Sequence, residues 1–292
     1  MVVQIIFCIV FYPVLALLYG TFQRESNAVN GCAFGVSMDK DWLDLPQMQG
    51  IRKVYSKQLK RNVLMLAVVP AITFFIPYFS IAYTVWMLWL LAVICVPALP
   101  FIRANKRTRA VKLALDPEAE MAEDDCWIFG MFYRNPKDER SFVTKRVGIG
   151  VTTNMATPKG KFLNVISVLA ILVIPIFCAW MILEEFIPIH LAISEQELVA
   201  KHIVRDCEIP VDNIEDISLV HTLPKWSKST GTAMDGLEKG TFYIRNEGKC
   251  RVFLNPKNSI FMKFTVKGTT YYVGGYDNEE TVRVYQRIRG MT

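Results

Sequence analysis

The sequence has few of the side chains that usually build metal or catalytic sites. Its three histidines all lie after residue 189, and none stands near cysteines at a zinc-ligand spacing. The motifs C-x-x-C, G-x-S-x-G and H-E-x-x-H are all missing. We therefore expect a protein that is not an enzyme and has no metal or other cofactor.

Positive charge is also too sparse for a nucleic-acid interface. The net charge is only +6, and no basic stripe alternates with aromatic residues as a phosphate-binding surface requires. Hydrophobic residues make up 52% of the chain. This composition excludes nucleic acid as an expected partner and points to a lipid bilayer.

Charged side chains are absent from three runs, residues 1–23, 62–102 and 162–183. One spanning helix needs about 20 apolar residues, so the middle run predicts two spans joined by a hairpin at residues 77–80. A cleaved signal peptide is disfavoured at the N-terminus because a basic n-region and a small-residue cleavage site are missing. We predict four transmembrane helices.

Lysine and arginine are concentrated in the two loops at residues 24–61 and 103–161. Positively charged loops remain cytoplasmic, so we predict a multi-pass protein of a bacterial plasma membrane with its N-terminus and residues 184–292 outside. The loop 24–61 has apolar residues at helical spacing and predicts a basic amphipathic helix. Its basic residues either rest on lipid headgroups or form a specific lipid or partner site: Arg52, Lys53, Lys57, Lys60 and Arg61.

The second loop predicts three consecutive segments. A basic helix continues from the third span to Leu115, and an acidic, solvated linker follows at residues 118–125. The aromatic and glycine-rich segment after it predicts short strands, with a turn at residues 135–138. We expect Trp127 and Tyr133 to lie at the headgroup level, where aromatic side chains with a polar edge are common.

Residues 188–292 alternate between apolar and polar positions and predict a series of β-strands, the first two of which meet at a turn at Glu195 and Gln196. The tail has helical periodicity, with Asn278 as the expected N-cap. The fold class we predict is therefore α+β: four transmembrane helices, then a mostly antiparallel β half-barrel with a closing helix.

Three stretches of this domain resemble bacterial pleckstrin-homology-like (PH-like) domains: residues 209–217, residues 250–256, and residues 277–281 with Tyr285 and Ile288. Residues 127–154 resemble uncharacterised bacterial membrane-protein domains found beside such modules. Relatives with this architecture include proteins grouped with peptide-toxin immunity and signal transduction. Eukaryotic PH domains often bind phosphoinositides, but a domain outside a bacterial membrane meets none, so a protein, a peptide or an envelope polymer is the expected ligand.

The candidate ligand-binding residues are Lys225, Trp226, Lys228 and Arg251. The first three lie in a Gly/Ser/Thr-rich segment that we interpret as a mobile loop, with function as the alternative. Whether Cys207 and Cys250 form a disulfide bond is left open, because sequence carries no distance between them.

The leading functional hypothesis is a membrane sensor or accessory protein whose outer domain binds a protein or peptide at the cell envelope. The alternative is an immunity or resistance factor against a membrane-active peptide, and the third is a transporter subunit. Transport is disfavoured because the four spans carry no charged residue.

Overall fold

The computed structural model of the chain describes residues 2–27, 31–117, 122–203, 207–245 and 248–291. The chain divides into two compact units. The first comprises Met1–Phe75 and Val85–Ile176, and the second comprises Ile76–Thr84 and Phe177–Thr292.

Four helices are long and apolar enough to cross a membrane, which agrees with the predicted number. In chain order these four helices are α1 (Val2–Arg24), α2 (Pro46–Val68), α3 (Phe79–Leu115) and α5 (Pro158–Phe186). The short helix α4 (Ala122–Asp125) lies between α3 and α5. A 3₁₀ segment, Val69–Phe75, continues α2. Helices satisfy their own backbone hydrogen bonds, as a charge-free segment must do in lipid.

Helix α2 differs from the prediction for the first loop. The amphipathic helix and the second span form one continuous helix, and several of its apolar residues are buried in protein. Met48, Ile51 and Tyr55 are buried in a cluster with Phe34 and Phe101. The ring centroids of Phe34 and Tyr55 lie 4.9 Å apart. Protein therefore covers apolar residues of this helix, whereas the basic residues predicted to meet headgroups, such as Lys53 and Lys57, are exposed.

Three small hairpins accompany these helices in the first unit. They are β1 (Cys32–Ala33) with β2 (Val36–Ser37), β3 (Trp127–Ile128) with β4 (Phe132–Tyr133), and β5 (Phe142–Thr144) with β6 (Val151–Thr153). The turns of the first two meet at Gly35 and Gly130, where an added Cβ on Gly35 would lie 2.6 Å from the Gly130 Cα. Only glycine permits this approach. The loops after α1 and after α3 are thus packed together.

Asp124 holds this packed region together. Its buried carboxylate accepts hydrogen bonds from Lys112 Nζ at 2.8 Å, from Arg146 at 2.5 Å and from the Ser37 hydroxyl at 2.7 Å. Burial alone would raise the pKa of Asp124, but these donors, together with the Ser37 amide, bring it below its usual value. The carboxylate is therefore charged and fully paired.

The prediction of a solvated acidic linker at residues 118–125 is wrong at Asp124. Two cations and a hydroxyl replace the water that an isolated carboxylate would need, so burial is tolerated. The neighbouring Glu123 and Asp125 are exposed, as predicted. Residues 118–121 lie outside the described residues.

The described part of the second unit contains two sheets, a C-terminal helix, the start of α3 and the end of α5. A three-stranded antiparallel sheet consists of β7 (His190–Ser194), β8 (Glu197–Lys201) and β9 (Cys207–Pro210). The turn at Glu195 and Gln196 is confirmed, since both residues have positive φ. Six further strands follow: β10 (Glu215–Val220), β11 (Trp226–Ala233), β12 (Glu238–Ile244), β13 (Gly248–Leu254), β14 (Phe261–Val266) and β15 (Thr269–Val273). Helix α6 (Asn278–Arg289) ends the domain.

The six strands form one sheet in the order β10-β14-β15-β13-β12-β11. All pairs are antiparallel except β13 with β15, because the chain leaves β13, skips one position to form β14 and returns as β15. The predicted mostly antiparallel β domain with a closing helix is confirmed. The N-cap of that helix is Asp277, not Asn278: the Asp277 carboxylate accepts a hydrogen bond from the Glu280 amide at 2.7 Å.

Two hydrophobic clusters lie on opposite faces of the six-stranded sheet. Phe253, Met262 and Val273 pack with residues of the three-stranded sheet and with Val284 and Ile288 of α6. The alternate positions of the same strands, including Val252 and Tyr272, form the second cluster. Alternation along a strand places successive residues on opposite faces, which explains the division.

Removing the Asp124 charge should destabilise the first unit strongly. Asp124→Asn leaves Lys112 and Arg146 without their shared carboxylate, and breaking a buried ion pair typically costs about 3–5 kcal/mol. The matched control is Asp125→Asn, whose exposed pair with Arg109 should contribute less than about 1 kcal/mol. Denaturant unfolding of the detergent-solubilised protein measures both, and equal losses would contradict the role of Asp124.

Candidate functional site

Strand β11 forms an outer edge of the six-stranded sheet and, among the strands that the structure describes, pairs with β12 alone. Most of its side chains are exposed. The prediction of a mobile loop here is therefore wrong. The strand forms because Gly231 and Gly240 face each other, and a Cβ on either would collide with the backbone opposite. Pairing with β12 overrides the low β-propensity of this polar segment.

Trp226 is the anchored end of this edge. Its ring lies 5.5 Å from Phe242 and 5.3 Å from Tyr272, and its indole Nε1 donates to Glu238 Oε2 at 3.0 Å. Burial raises the pKa of Glu238, although the bond from Trp226 opposes that shift. The tryptophan is thus half-buried and held in place, not free to move with a loop.

The structure separates the four predicted ligand-binding residues. Lys228 pairs with Phe242 and shares a face with Trp226, and Lys225 precedes them; both lysines are exposed. Arg251 pairs with Thr241 and lies between Cys250 and Val252, whose side chains are in the cluster that contains Trp226. It therefore projects from the opposite face. Lys225, Trp226 and Lys228 remain as one surface.

Next to this hairpin lies a buried group of charges that the sequence did not reveal. Lys239 Nζ of β12 is 2.9 Å from the Glu184 carboxylate and 3.0 Å from His202 Nδ1. All three side chains are buried. Thr232 of β11 also donates to Glu184, at 3.3 Å. Glu184 belongs to the last turn of α5, so the hairpin and the helix end share one ion pair.

The tautomer of His202 follows from two of its contacts. Nε2 lies 3.1 Å from the Ile187 carbonyl, which can only accept a hydrogen bond, so Nε2 carries the proton. Nδ1 then accepts from Lys239. Burial, and next the Lys239 charge, lower the pKa of His202. A neutral imidazole therefore lies beside a buried ammonium group.

Two further carboxylates cap the start of α3. The amide of Ser80 donates to Glu185 at 2.8 Å and that of Phe79 donates to Asp235, in the β11–β12 turn, at 3.0 Å. The first amides of a helix lack partners within the helix and carry its positive dipole end, so both contacts are favourable. Lys257 also lies over the Tyr78 ring, at 3.9 Å.

A local reading of the sequence missed this site because its residues come from separate elements. From the local sequence, Glu184 and Glu185 are interpreted as the charged residues that follow a transmembrane span, and Lys239 as an ordinary residue of a strand. The only available signal was the pair of adjacent glutamates directly after a charge-free run.

The predicted membrane-surface residues divide into two groups. Along α2, Lys53, Lys57, Lys60 and Arg61 are exposed and Arg52 is half-buried, so these side chains can still meet lipid headgroups. Trp127 and Tyr133 are buried instead. Their rings lie 5.0 Å apart, and the Arg146 guanidinium covers Trp127 at 5.3 Å. Protein contacts therefore cover these two aromatic rings, and the headgroup position predicted for them stays a prediction.

No disulfide bond joins Cys207 and Cys250 in the structure. Cys250 is buried in the cluster with Val252, whereas Cys207 packs against the cluster on the other face of the sheet. Burial raises the pKa of the Cys207 thiol to about 11, so little thiolate is present near neutral pH.

Comparison with known families gives two matches. Residues 189–287 match the family model of the bacterial PH domain, and residues 136–161 match a family of unknown function, DUF5808. No curated protein and no solved structure matches the chain. The chain is thus a membrane protein whose C-terminal domain is a bacterial PH-like domain, as its sheets and closing helix indicate.

The buried His202 should make the protein less stable in acid. Its folded pKa lies below the unfolded value of about 6.5, so its contribution is complete above that pH and is lost as the pH falls through the folded pKa. Between pH 8 and pH 5 we expect the wild type to lose more unfolding free energy than His202→Gln, which cannot titrate.

The matched control for this prediction is His221→Gln, because His221 is exposed. This variant should keep the wild-type pH dependence. An identical pH profile for the wild type and His202→Gln would show that the buried imidazole is not the titrating group.

Proposed function

We propose that this protein is a non-enzymatic membrane sensor or accessory protein whose PH-like domain binds an extended segment of a partner protein or peptide. One observation carries the proposal. The β11–β12 hairpin presents the free edge of the sheet and also contacts the ends of two apolar helices, through Glu184 and the amide of Phe79.

The binding mode that fits this edge is strand addition. An edge strand exposes unpaired backbone donors and acceptors, which an extended peptide can use while its side chains meet the strand surface. Lys228 and the register shift between Lys228 and Thr230 restrict such pairing. The positive charge of Lys228 favours a partner with an acidic side chain opposite it, next to the half-buried ring of Trp226.

Binding along β11 would bear directly on the membrane helices. A strand added to this edge changes the surroundings of Thr232, whose hydroxyl donates to Glu184 at the end of α5. The same hairpin contacts the first turn of α3 through Asp235. This is the arrangement expected of a sensor, in which occupancy of the outer domain alters the helix ends.

A photo-crosslinking residue placed at Ser229 tests the binding surface in native membranes. We expect Ser229 to give a discrete crosslinked partner that is lost when Lys228→Glu is added, because the charge then repels an acidic segment. The matched control carries the crosslinker at Lys267, an exposed residue of the β14–β15 turn. Equal products from both positions, or none from Ser229, would refute strand addition at β11.

The proposal places the PH-like domain outside the cell and the basic loops inside, as the distribution of lysine and arginine favours. An impermeant maleimide should label Lys267→Cys in intact cells and Lys53→Cys only after permeabilisation. Native Cys207 is a poor reporter because burial holds its thiol pKa near 11. The reverse labelling pattern would invert the topology.

A deletion strain separates this function from peptide immunity. Selective sensitivity to a membrane-active peptide is expected only for an immunity factor. An unchanged sensitivity together with the Ser229 crosslink supports the accessory-protein role.

A further inference from the structure

The first unit contains a cavity of about 450 Å³ at the end of α1. One wall is the last turn of that helix, with Gly20, Thr21 and Arg24, followed by Glu25. The other wall is the loop that joins β5 to β6, from Thr144 to Gly150. A drug-sized ligand or a lipid headgroup fits a cavity of this volume.

The charged groups around the cavity favour an anion. Arg24 and Lys145 both line it and are exposed, and neither side chain makes a salt bridge within the part of the chain that the structure describes. Glu25 also lines the cavity, but one of its oxygens accepts a hydrogen bond from the Gly148 amide at 3.1 Å. Two cations and one carboxylate leave the lining with a net positive charge.

The position of the cavity relates it to the bilayer. Helix α1 has no ionisable acidic or basic side chain before Arg24, so Arg24 marks the end of its apolar run. Interfacial arginine and lysine side chains commonly reach phosphates at this depth. The cavity mouth therefore lies where phospholipid headgroups would be if α1 spans the membrane.

The loop beside the cavity exposes apolar side chains in the same place. Ile149, between Gly148 and Gly150, is 85% exposed, and Phe142 and Val151 of the same hairpin are also exposed. Exposed apolar residues next to basic ones are typical of segments that insert into the membrane interface. Water is a poor environment for Ile149, whereas acyl chains are a good one.

We propose that this cavity binds the phosphate of an anionic phospholipid, with Arg24 and Lys145 as its ligands and Ile149 inserted among the acyl chains. Glu25 positions the loop by holding the Gly148 amide. This site is distinct from the basic residues of α2, and it does not depend on what the PH-like domain binds.

Lipid retention by the full-length protein tests the site. Native mass spectrometry of the purified protein with added short-chain phosphatidylglycerol or phosphatidylcholine reports bound lipid, and glycerol phosphate serves as a headgroup without chains. We expect phosphatidylglycerol to bind preferentially. Each basic residue at the surface contributes roughly a fivefold gain, so Arg24→Gln with Lys145→Gln should weaken binding about 25-fold.

The matched control is Lys267→Gln with Arg287→Gln, which removes two exposed charges from the PH-like domain and should leave this binding within about twofold. Arg24→Lys with Lys145→Arg should retain binding, and this conservative variant separates lost charge from misfolding. Ile149→Ser should weaken lipid binding but leave any glycerol phosphate binding unchanged.

Two results would overturn the proposal. Equal loss in the Lys267/Arg287 control would mean that general surface charge attracts the lipid. Equal affinity for glycerol phosphate and phosphatidylglycerol would mean that the cavity takes a free phosphate compound and not a membrane lipid.

Discussion

The ion pair between Lys239 and Glu184 is the contact on which the C-terminal part of the molecule depends. Both side chains are more than nine-tenths buried, and their charged atoms are 2.9 Å apart. Neither charge could be buried alone, because removing one partner leaves the other without water or a counterion. The pair therefore determines where the β11–β12 hairpin lies against the last turn of α5, and His202 and Thr232 complete its hydrogen bonds.

This constraint bears on the sensing role that we propose for the edge strand. A free edge at the end of a rigid sheet would bind a partner without affecting anything else. Here Lys239, Thr232 and Asp235 of the same hairpin contact the helix ends. A structural change at the edge strand would therefore act directly on the ends of α3 and α5. Such coupling needs two arrangements of the hairpin that differ in energy by only a few kcal/mol.

Features that depend on local composition were predictable from the sequence. Charge-free runs identified the four helices, and Asp116-Pro117 marked the end of α3, since the residue before a proline disfavours helix. The turn at Glu195 and Gln196 and the closing helix were likewise visible in local patterns. In each case the deciding interactions lie within a few residues of one another.

Features that depend on distant partners were not predictable. Residues 226–233 look like a polar loop until Gly240 and its neighbours supply the pairing strand. Asp124 looks solvated until Lys112, Ser37 and Arg146 surround it, and Trp127 and Tyr133 look interfacial until they pack on each other. The candidate site belongs to this class, because Glu184, His202 and Lys239 meet only in the folded domain.

Hydrogen–deuterium exchange of Glu184→Gln in nanodiscs tests most directly whether the hairpin and the helix ends form one unit. If they do, the amides of Trp226–Ala233 and the first turn of α3 should lose protection together, by about tenfold or more, as expected for the loss of roughly 1.4 kcal/mol or more of local stability. Faster exchange confined to the last turn of α5, with unchanged protection along β11, would contradict the account.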